Sequence, residues 1–148
     1  MTSNSTFAVL LGGVLEIDDR VLTLMQGVRV IAADGGPRTD HALSHLLQAV
    51  TLAERGFDVV LTSGLEEAVP LLPGSRMLDL PAGSLFSVVA FTALTGLSLA
   101  GAKYPLDEAD IAFGASRTIS NVAVGPVTAS LGSGRALIIA RPHDFSGA

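Results

Sequence analysis

Five residues between positions 34 and 40 belong to the types that bind phosphate and divalent metal ions. This N-terminal set consists of Asp34, Gly35, Gly36, Arg38 and Asp40. Glycine lets a backbone approach a phosphate closely, and a carboxylate at a strand end can hold Mg²⁺ directly or through water. Arg38 precedes a predicted helix N-terminus, where the amide donors and helix dipole favour phosphate. The plainer alternative is an Asp-Gly-Gly turn followed by an aspartate that caps the helix.

A second set of residues that could bind a ligand lies between positions 104 and 121. This C-terminal set consists of Tyr104, Ser116, Arg117, Ser120 and Asn121. Tyrosine offers a flat apolar face, and serine and asparagine side chains both donate and accept hydrogen bonds. Arg117 could contact a phosphate or could be a solvated charge. In the structural alternative, residues 103–106 form an exposed hairpin and the Ser120-Asn121 pair forms a turn.

The first half of the chain alternates between strand and helix patterns. Continuous apolar runs at 7–11, 28–33 and 57–62 are typical of buried parallel strands. Helices are predicted between these runs, at about 18–25 and 39–55. This order predicts a right-handed parallel unit, with the N-terminal set at the edge where open α/β sheets bind ligands. The second helix has a predicted buried face with three-and-four spacing: Leu43, Leu46, Leu47 and Val50.

The second half changes character after about residue 73. From Met77 onward, short apolar runs recur between glycine, proline and serine, a pattern that favours an antiparallel sandwich or barrel. The predicted fold class is therefore α/β plus all-β. An N-terminal parallel-sheet α/β unit, residues 1–73, would be followed by a C-terminal antiparallel β-sandwich, residues 74–148.

Composition argues against several classes of protein. A net charge of −5 with scattered basic residues argues against a nucleic-acid surface. No apolar run reaches the roughly 18 residues of a membrane span, and the N-terminus lacks the basic region of a signal peptide. The absence of cysteine excludes disulfides and zinc–thiolate sites and fits a cytoplasmic protein. The hydrophobic fraction of 49% indicates buried strands and an oligomer interface.

Three segments around the C-terminal set resemble the C-terminal signature of the thiamine pyrophosphokinases. Residues 101–106, 113–117 and 119–121 are similar to the family patterns G-x-K-W-P-L, F-G-x-S-R and I-S-N, in the same order. Tyr104 stands where the family usually has the tryptophan that stacks on the thiamine pyrimidine. The N-terminal set resembles two further family motifs, A-D-G-G and G-G-x-R-x-D-H.

The resemblance implies an enzyme that transfers pyrophosphate from ATP to the hydroxyl of thiamine, giving thiamine diphosphate and AMP. It implies Mg²⁺ as cofactor and a homodimer in which thiamine lies between subunits. Residues 1–73 would bind ATP, and residues 74–148 would bind thiamine. The implied roles are catalysis and metal binding for Asp34 and Asp40, ATP phosphate binding for Gly35, Gly36 and Arg38, and thiamine binding for Tyr104, Ser116, Arg117, Ser120 and Asn121.

The chain departs from the family pattern between the two N-terminal motifs. There the family has two acidic motifs, similar to G-D-F-D-S and K-D-x-T-D, which supply most contacts to Mg²⁺ and ATP, and neither occurs in this sequence. Three explanations are open: a natural or engineered deletion, an alternative product, or a segment that the protein has but that the 148 residues do not include. The two remaining carboxylates, Asp34 and Asp40, are few for binding Mg²⁺-ATP. We therefore hypothesise that the 148-residue chain is inactive, and a non-catalytic thiamine-binding dimer is the alternative function.

Overall fold

The computed structural model of the chain describes residues 6–10, 28–33, 39–62 and 65–147. The chain divides into two compact units, Met1–Gly64 and Leu65–Ala148. The assignment of ATP to residues 1–73 and of thiamine to residues 74–148 stays a prediction. Within the described residues, no helix has both the length and the apolar character needed to cross a membrane.

The described part of the first unit contains three parallel strands and a helix. The strands are β1 (Thr6–Leu10), β2 (Val28–Ala33) and β3 (Asp58–Thr62), and helix α1 (Thr39–Glu54) connects β2 to β3. Strand β2 pairs in parallel with both β1 and β3. These bounds agree with the apolar runs to within a residue or two. The helix predicted at 18–25 lies outside the described residues.

Helix α1 buries a different face from the one predicted. Leu43 and Leu47 are each 49% exposed, whereas the buried positions are His45, Ala49, Val50 and Leu52. The helix packs against β3. The predicted face was wrong because leucine spacing gives the helical period but not which side of the helix is buried. The buried residues have a similar spacing, but they lie on a face that is rotated about the helix axis from the predicted one. Of the four predicted positions, Val50 is buried as expected.

The second unit consists of antiparallel strands. Within residues 65–147 these strands are β4 (Glu67–Leu71), β5 (Gly74–Leu78), β6 (Leu85–Ala90), β7 (Leu94–Ala102), β8 (Leu106–Ile111), β9 (Asn121–Leu131) and β10 (Ala136–Arg141). Their hydrogen-bonded order is β4-β10-β6-β9-β7-β8, and β5 also pairs with β9. Alternate residues of β6 are buried, and β10 lies at the centre of the core with Leu137 and Ile138 fully enclosed.

Within this unit, strand β9 pairs with three strands, β6, β7 and β5. Its first two residues, Asn121 and Val122, pair with β6, and its later residues pair with β7 and β5. The register against β7 shifts between Ala100 and Ala102. On β9, Gly125 and Pro126 lie within the irregular stretch. Glycine and proline usually interrupt a strand, but β9 continues through both to Leu131.

The predicted fold class is therefore wrong. The described residues form a mostly antiparallel β structure with one helix, not a parallel-sheet α/β unit followed by a separate sandwich. Parallel pairing is limited to β1, β2 and β3, and the strands of the second unit form one continuous order through β9. The predicted α/β unit also extended to residue 73, whereas β4 lies within that range and pairs antiparallel with β10. Pro70 lies in β4, and because proline usually interrupts a strand, the sequence pattern did not indicate this one.

Candidate functional site

The N-terminal set is described at one of its five positions. Asp34, Gly35, Gly36 and Arg38 lie outside the described residues, so their predicted roles stay predictions. Asp40 lies exposed in the first turn of α1, and its Oδ1 accepts a hydrogen bond from the His41 amide at 3.0 Å. Among the described residues, no three acidic or histidine side chains are grouped so that they could hold a metal ion. Of the two carboxylates predicted to bind Mg²⁺, the described residues include Asp40, and its role as a metal ligand stays a prediction.

Tyr104 lies in the connection between β7 and β8. Its side chain is 58% exposed. The Nζ atom of the neighbouring Lys103 lies 5.6 Å from the ring centroid, within the range of a cation–π interaction. An exposed aromatic ring on a short connection presents apolar area to solvent and can stack on a planar ligand.

Asn121 joins this connection to the start of β9. Its Oδ1 accepts hydrogen bonds from the Tyr104 amide at 3.1 Å and the Val122 amide at 2.8 Å. Its Nδ2 donates to the Tyr104 carbonyl at 2.9 Å. The Lys103 amide also donates to the Val122 carbonyl, at 2.8 Å. The main chain of Lys103 and Tyr104, which carries the exposed ring, is therefore hydrogen-bonded to the first two residues of β9.

The loop from 112 to 120, between β8 and β9, rests on β6. Thr118 Oγ1 donates to the Val88 carbonyl at 2.6 Å, and the Val88 amide donates to the Thr118 carbonyl at 2.9 Å. The Ser120 amide donates to Ser87 Oγ at 2.9 Å. Ser120 has a φ of 63°, a left-handed conformation that is uncommon for a residue with a Cβ. These contacts fix the end of the loop beside β6.

The structure brings part of the C-terminal set together. Asn121 links Tyr104 to Ser120, because its side chain is hydrogen-bonded to the Tyr104 main chain and Ser120 directly precedes it in the sequence. Ser116, Arg117 and Ser120 are exposed on the loop, whereas Asn121 is buried. Their predicted contacts with thiamine stay predictions, and the observed partners of Asn121 are backbone groups.

Sequence reasoning missed two side chains that support this site. Thr118 is 3% exposed and anchors the loop, and Ser87 accepts the Ser120 amide. Thr118 lies between two recognised motif segments, so its position could have suggested a supporting role. Ser87 has no such signal, because it is one polar residue in an alternating strand.

Replacing Thr118 with valine should destabilise the fold by about 1–2 kcal/mol, because the buried Val88 carbonyl would lose its hydroxyl partner. Thr118→Ser is the matched control, since it keeps the hydroxyl and loses only a methyl group. Urea unfolding midpoints measure the difference. Equal midpoints for the valine and serine variants would show that this hydrogen bond does not stabilise the loop.

Comparison with known proteins connects this geometry to a family. Residues 77–135 match the model of the thiamin pyrophosphokinase vitamin B1 binding domain. This range contains the whole C-terminal set together with Ser87 and Thr118. No curated protein matches the chain significantly.

Solved structures share the fold at low sequence identity. Thiamine pyrophosphokinase from Bacillus subtilis aligns with a TM-score of 0.73 at 23% identity, covering 87% of this chain and 64% of that one. Thiamin pyrophosphokinase from Candida albicans aligns with a TM-score of 0.68 at 13% identity, covering 78% and 44%. A protein from Lactobacillus plantarum aligns with a TM-score of 0.69 at 17% identity, covering 95% and 100%.

The chain thus spans less than two thirds of the length of the B. subtilis enzyme and less than half of the C. albicans enzyme. The resemblance of the three C-terminal segments is confirmed by the family match, whereas the resemblance of the N-terminal motifs lies outside the matched range and stays a prediction. Residues 77–135 are thus similar to the vitamin B1 binding domain of thiamin pyrophosphokinases, and the chain shares its fold with solved structures of such proteins.

Proposed function

We propose that this chain binds thiamine at the connection between β7 and β8, with the ring of Tyr104 as the stacking surface. One observation supports this most directly: a 58% exposed aromatic ring, on a backbone tied to β9, lies within the range that matches a vitamin B1 binding domain. An exposed ring that served only folding would gain little from such anchoring, since most of its area stays in water.

The chemistry of the neighbouring side chains suits an aminopyrimidine. The ring of Tyr104 would stack on the pyrimidine. The exposed hydroxyls of Ser116 and Ser120 can donate and accept hydrogen bonds at ring nitrogens and at the amino group. The Asn121 amide keeps one Nδ2 hydrogen that the hydrogen bond to the Tyr104 carbonyl does not use. In this proposal Arg117 contacts a phosphate group near the thiamine hydroxyl.

The proposed reaction of the complete enzyme is pyrophosphate transfer from ATP to thiamine. Asp34 and Asp40 would be the carboxylates, and Arg38 with the backbone of Gly35 and Gly36 would hold the phosphates. Mg²⁺, when bound, would neutralise charge on the transferred group, and the protein would contribute mainly by positioning the reactants. We further propose a homodimer with thiamine between subunits, as the family resemblance implies, and a cytoplasmic location, which fits the absence of cysteine.

The 148-residue chain has fewer acidic motifs for Mg²⁺-ATP than the family pattern. The sequence lacks two acidic motifs of the family, and Asp40 lies exposed at a helix start with a backbone amide as its hydrogen-bond donor. Divalent cations bound to nucleotides usually have additional carboxylate ligands. We therefore propose that this chain binds thiamine and does not transfer pyrophosphate unless the missing acidic segment is supplied.

Isothermal titration of the purified chain with thiamine, paired with an assay for AMP release, tests both parts. We expect saturable thiamine binding and no thiamine-dependent AMP release from Mg²⁺-ATP. The isolated aminopyrimidine half of thiamine should compete better than the thiazole half, because the stacking and hydrogen-bonding groups face the pyrimidine in this proposal. Absence of thiamine binding would refute the binding function, and thiamine-dependent AMP release would refute the inactivity of the chain.

A further inference from the structure

We propose that Asn121 is a positioning residue that raises thiamine affinity by fixing the main chain of Tyr104, and that it does so without depending on direct contact with the ligand. This inference rests on the proposed thiamine-binding function. It assigns Asn121 a different role from the ligand contact implied by the sequence motif.

The hydrogen-bonding capacity of Asn121 is almost fully used within the protein. The side-chain amide offers two acceptor positions and two donor hydrogens. Both acceptor positions of Oδ1 are occupied, by the amides of Tyr104 and Val122, and one Nδ2 hydrogen is donated to the Tyr104 carbonyl. Asn121 is 5% exposed, so the amide is also largely shielded from a ligand.

The same bonds restrain the Tyr104 backbone from two directions. Asn121 bonds to both the N–H and the C=O of Tyr104, although the two residues are 17 positions apart in the chain. A ring on an unrestrained connection would lose backbone and side-chain freedom when a ligand stacks on it, and that loss would weaken binding. Because the backbone is fixed in advance, a smaller part of that entropy is lost on binding.

The composition of the chain provides a direct probe of this effect. Tyr104 is its only tyrosine, and it contains no tryptophan. Tyrosine near-ultraviolet circular dichroism and fluorescence anisotropy therefore report on this one ring. A merely structural role for Asn121 elsewhere in the fold would leave these signals unchanged.

The test compares Asn121→Ala and Asn121→Asp with wild type, using thiamine titration together with the two tyrosine signals. Asn121→Asp keeps an acceptor for both amides but places an oxygen opposite the Tyr104 carbonyl. Thr92→Val is the matched control: its hydroxyl accepts the Arg135 amide at 2.9 Å, and it lies before the opposite end of β7. Far-ultraviolet circular dichroism confirms that each variant is folded.

We expect both Asn121 variants to bind thiamine about tenfold more weakly and to show a smaller tyrosine dichroism and lower anisotropy, because two main-chain bonds to Tyr104 are lost or weakened. Thr92→Val should leave affinity and tyrosine signals at wild-type values. Weaker binding with unchanged tyrosine signals would indicate a direct ligand contact and would overturn the inference. Altered tyrosine signals with unchanged affinity would overturn it as well.

Failure of the proposed function has a separate signature. If wild type does not bind thiamine, the binding function fails, while the tyrosine signals still show whether Asn121 restrains Tyr104. If neither variant folds, amide hydrogen exchange in wild type tests whether Asn121 restrains the Tyr104 main chain. The Tyr104 amide should then exchange slowly despite the exposure of its side chain, and fast exchange would overturn the inference.

Discussion

Replacing Tyr104 with alanine should weaken thiamine binding by about 1–3 kcal/mol, or roughly five- to 150-fold, because alanine removes the ring on which the pyrimidine is proposed to stack. The ring is 58% exposed, so its removal leaves no cavity in the core. Thermal stability should therefore stay close to that of wild type. Isothermal titration with thiamine, alongside a thermal melt, measures both quantities.

Tyr104→Trp provides the opposite test at the same position. Tryptophan is the residue that the family pattern usually has there, and its larger face should strengthen stacking severalfold. Phe145→Ala is the matched control, since Phe145 is an exposed aromatic residue that lies outside the range matching the vitamin B1 binding domain. Equal affinities for the alanine variant and wild type would remove Tyr104 from the proposed site.

Replacing Gly101 with alanine should destabilise the fold by about 3 kcal/mol, which combines left-handed backbone strain with overpacking. Gly101 has a φ of 77°, and a Cβ at this position would overlap the carbonyl oxygen of Pro126. The overlap involves backbone on both sides, so no side-chain rotation can relieve it. The irregular stretch between β7 and β9 would have to move, and Tyr104 follows three residues later.

Gly114→Ala is the matched control for this prediction. Gly114 has nearly the same φ, 80°, but nothing lies within 4 Å of a Cβ placed there. Its replacement should cost only the conformational strain, about 1 kcal/mol. Urea unfolding followed by the single tyrosine measures both variants. If both glycine substitutions cost the same, the close approach of Pro126 does not explain the need for glycine at position 101.

The two glycine substitutions also distinguish two physical reasons for glycine in the recognised motifs. Gly101 opens the first C-terminal segment, and Gly114 lies in the second. Both adopt positive φ, but steric exclusion of a side chain applies at Gly101 alone of the two. A sequence motif shows both positions simply as glycine, and neighbours distant in the chain make the difference between them.

Local sequence determined the positions of many elements. Apolar runs bounded by glycine located β1, β2 and β3, and the change from helical spacing to short runs located the antiparallel second unit. The same local patterns led to the wrong fold class and the wrong face of α1. A run of apolar residues specifies burial, whereas the partner of a strand, such as β10 for β4, and the rotation of a helix depend on what packs against the element.

The sequence by itself determined which residue types surround the candidate site, since the motif segments containing Tyr104, Ser116 and Asn121 are readable without a structure. The tertiary structure decided what those residues do within the fold. It places the Asn121 amide on the Tyr104 backbone, and Thr118 and Ser120 against β6. These hydrogen bonds join residues 17 to 33 positions apart, and they depend on how β9 pairs with its neighbours, so no local pattern in the chain specifies them.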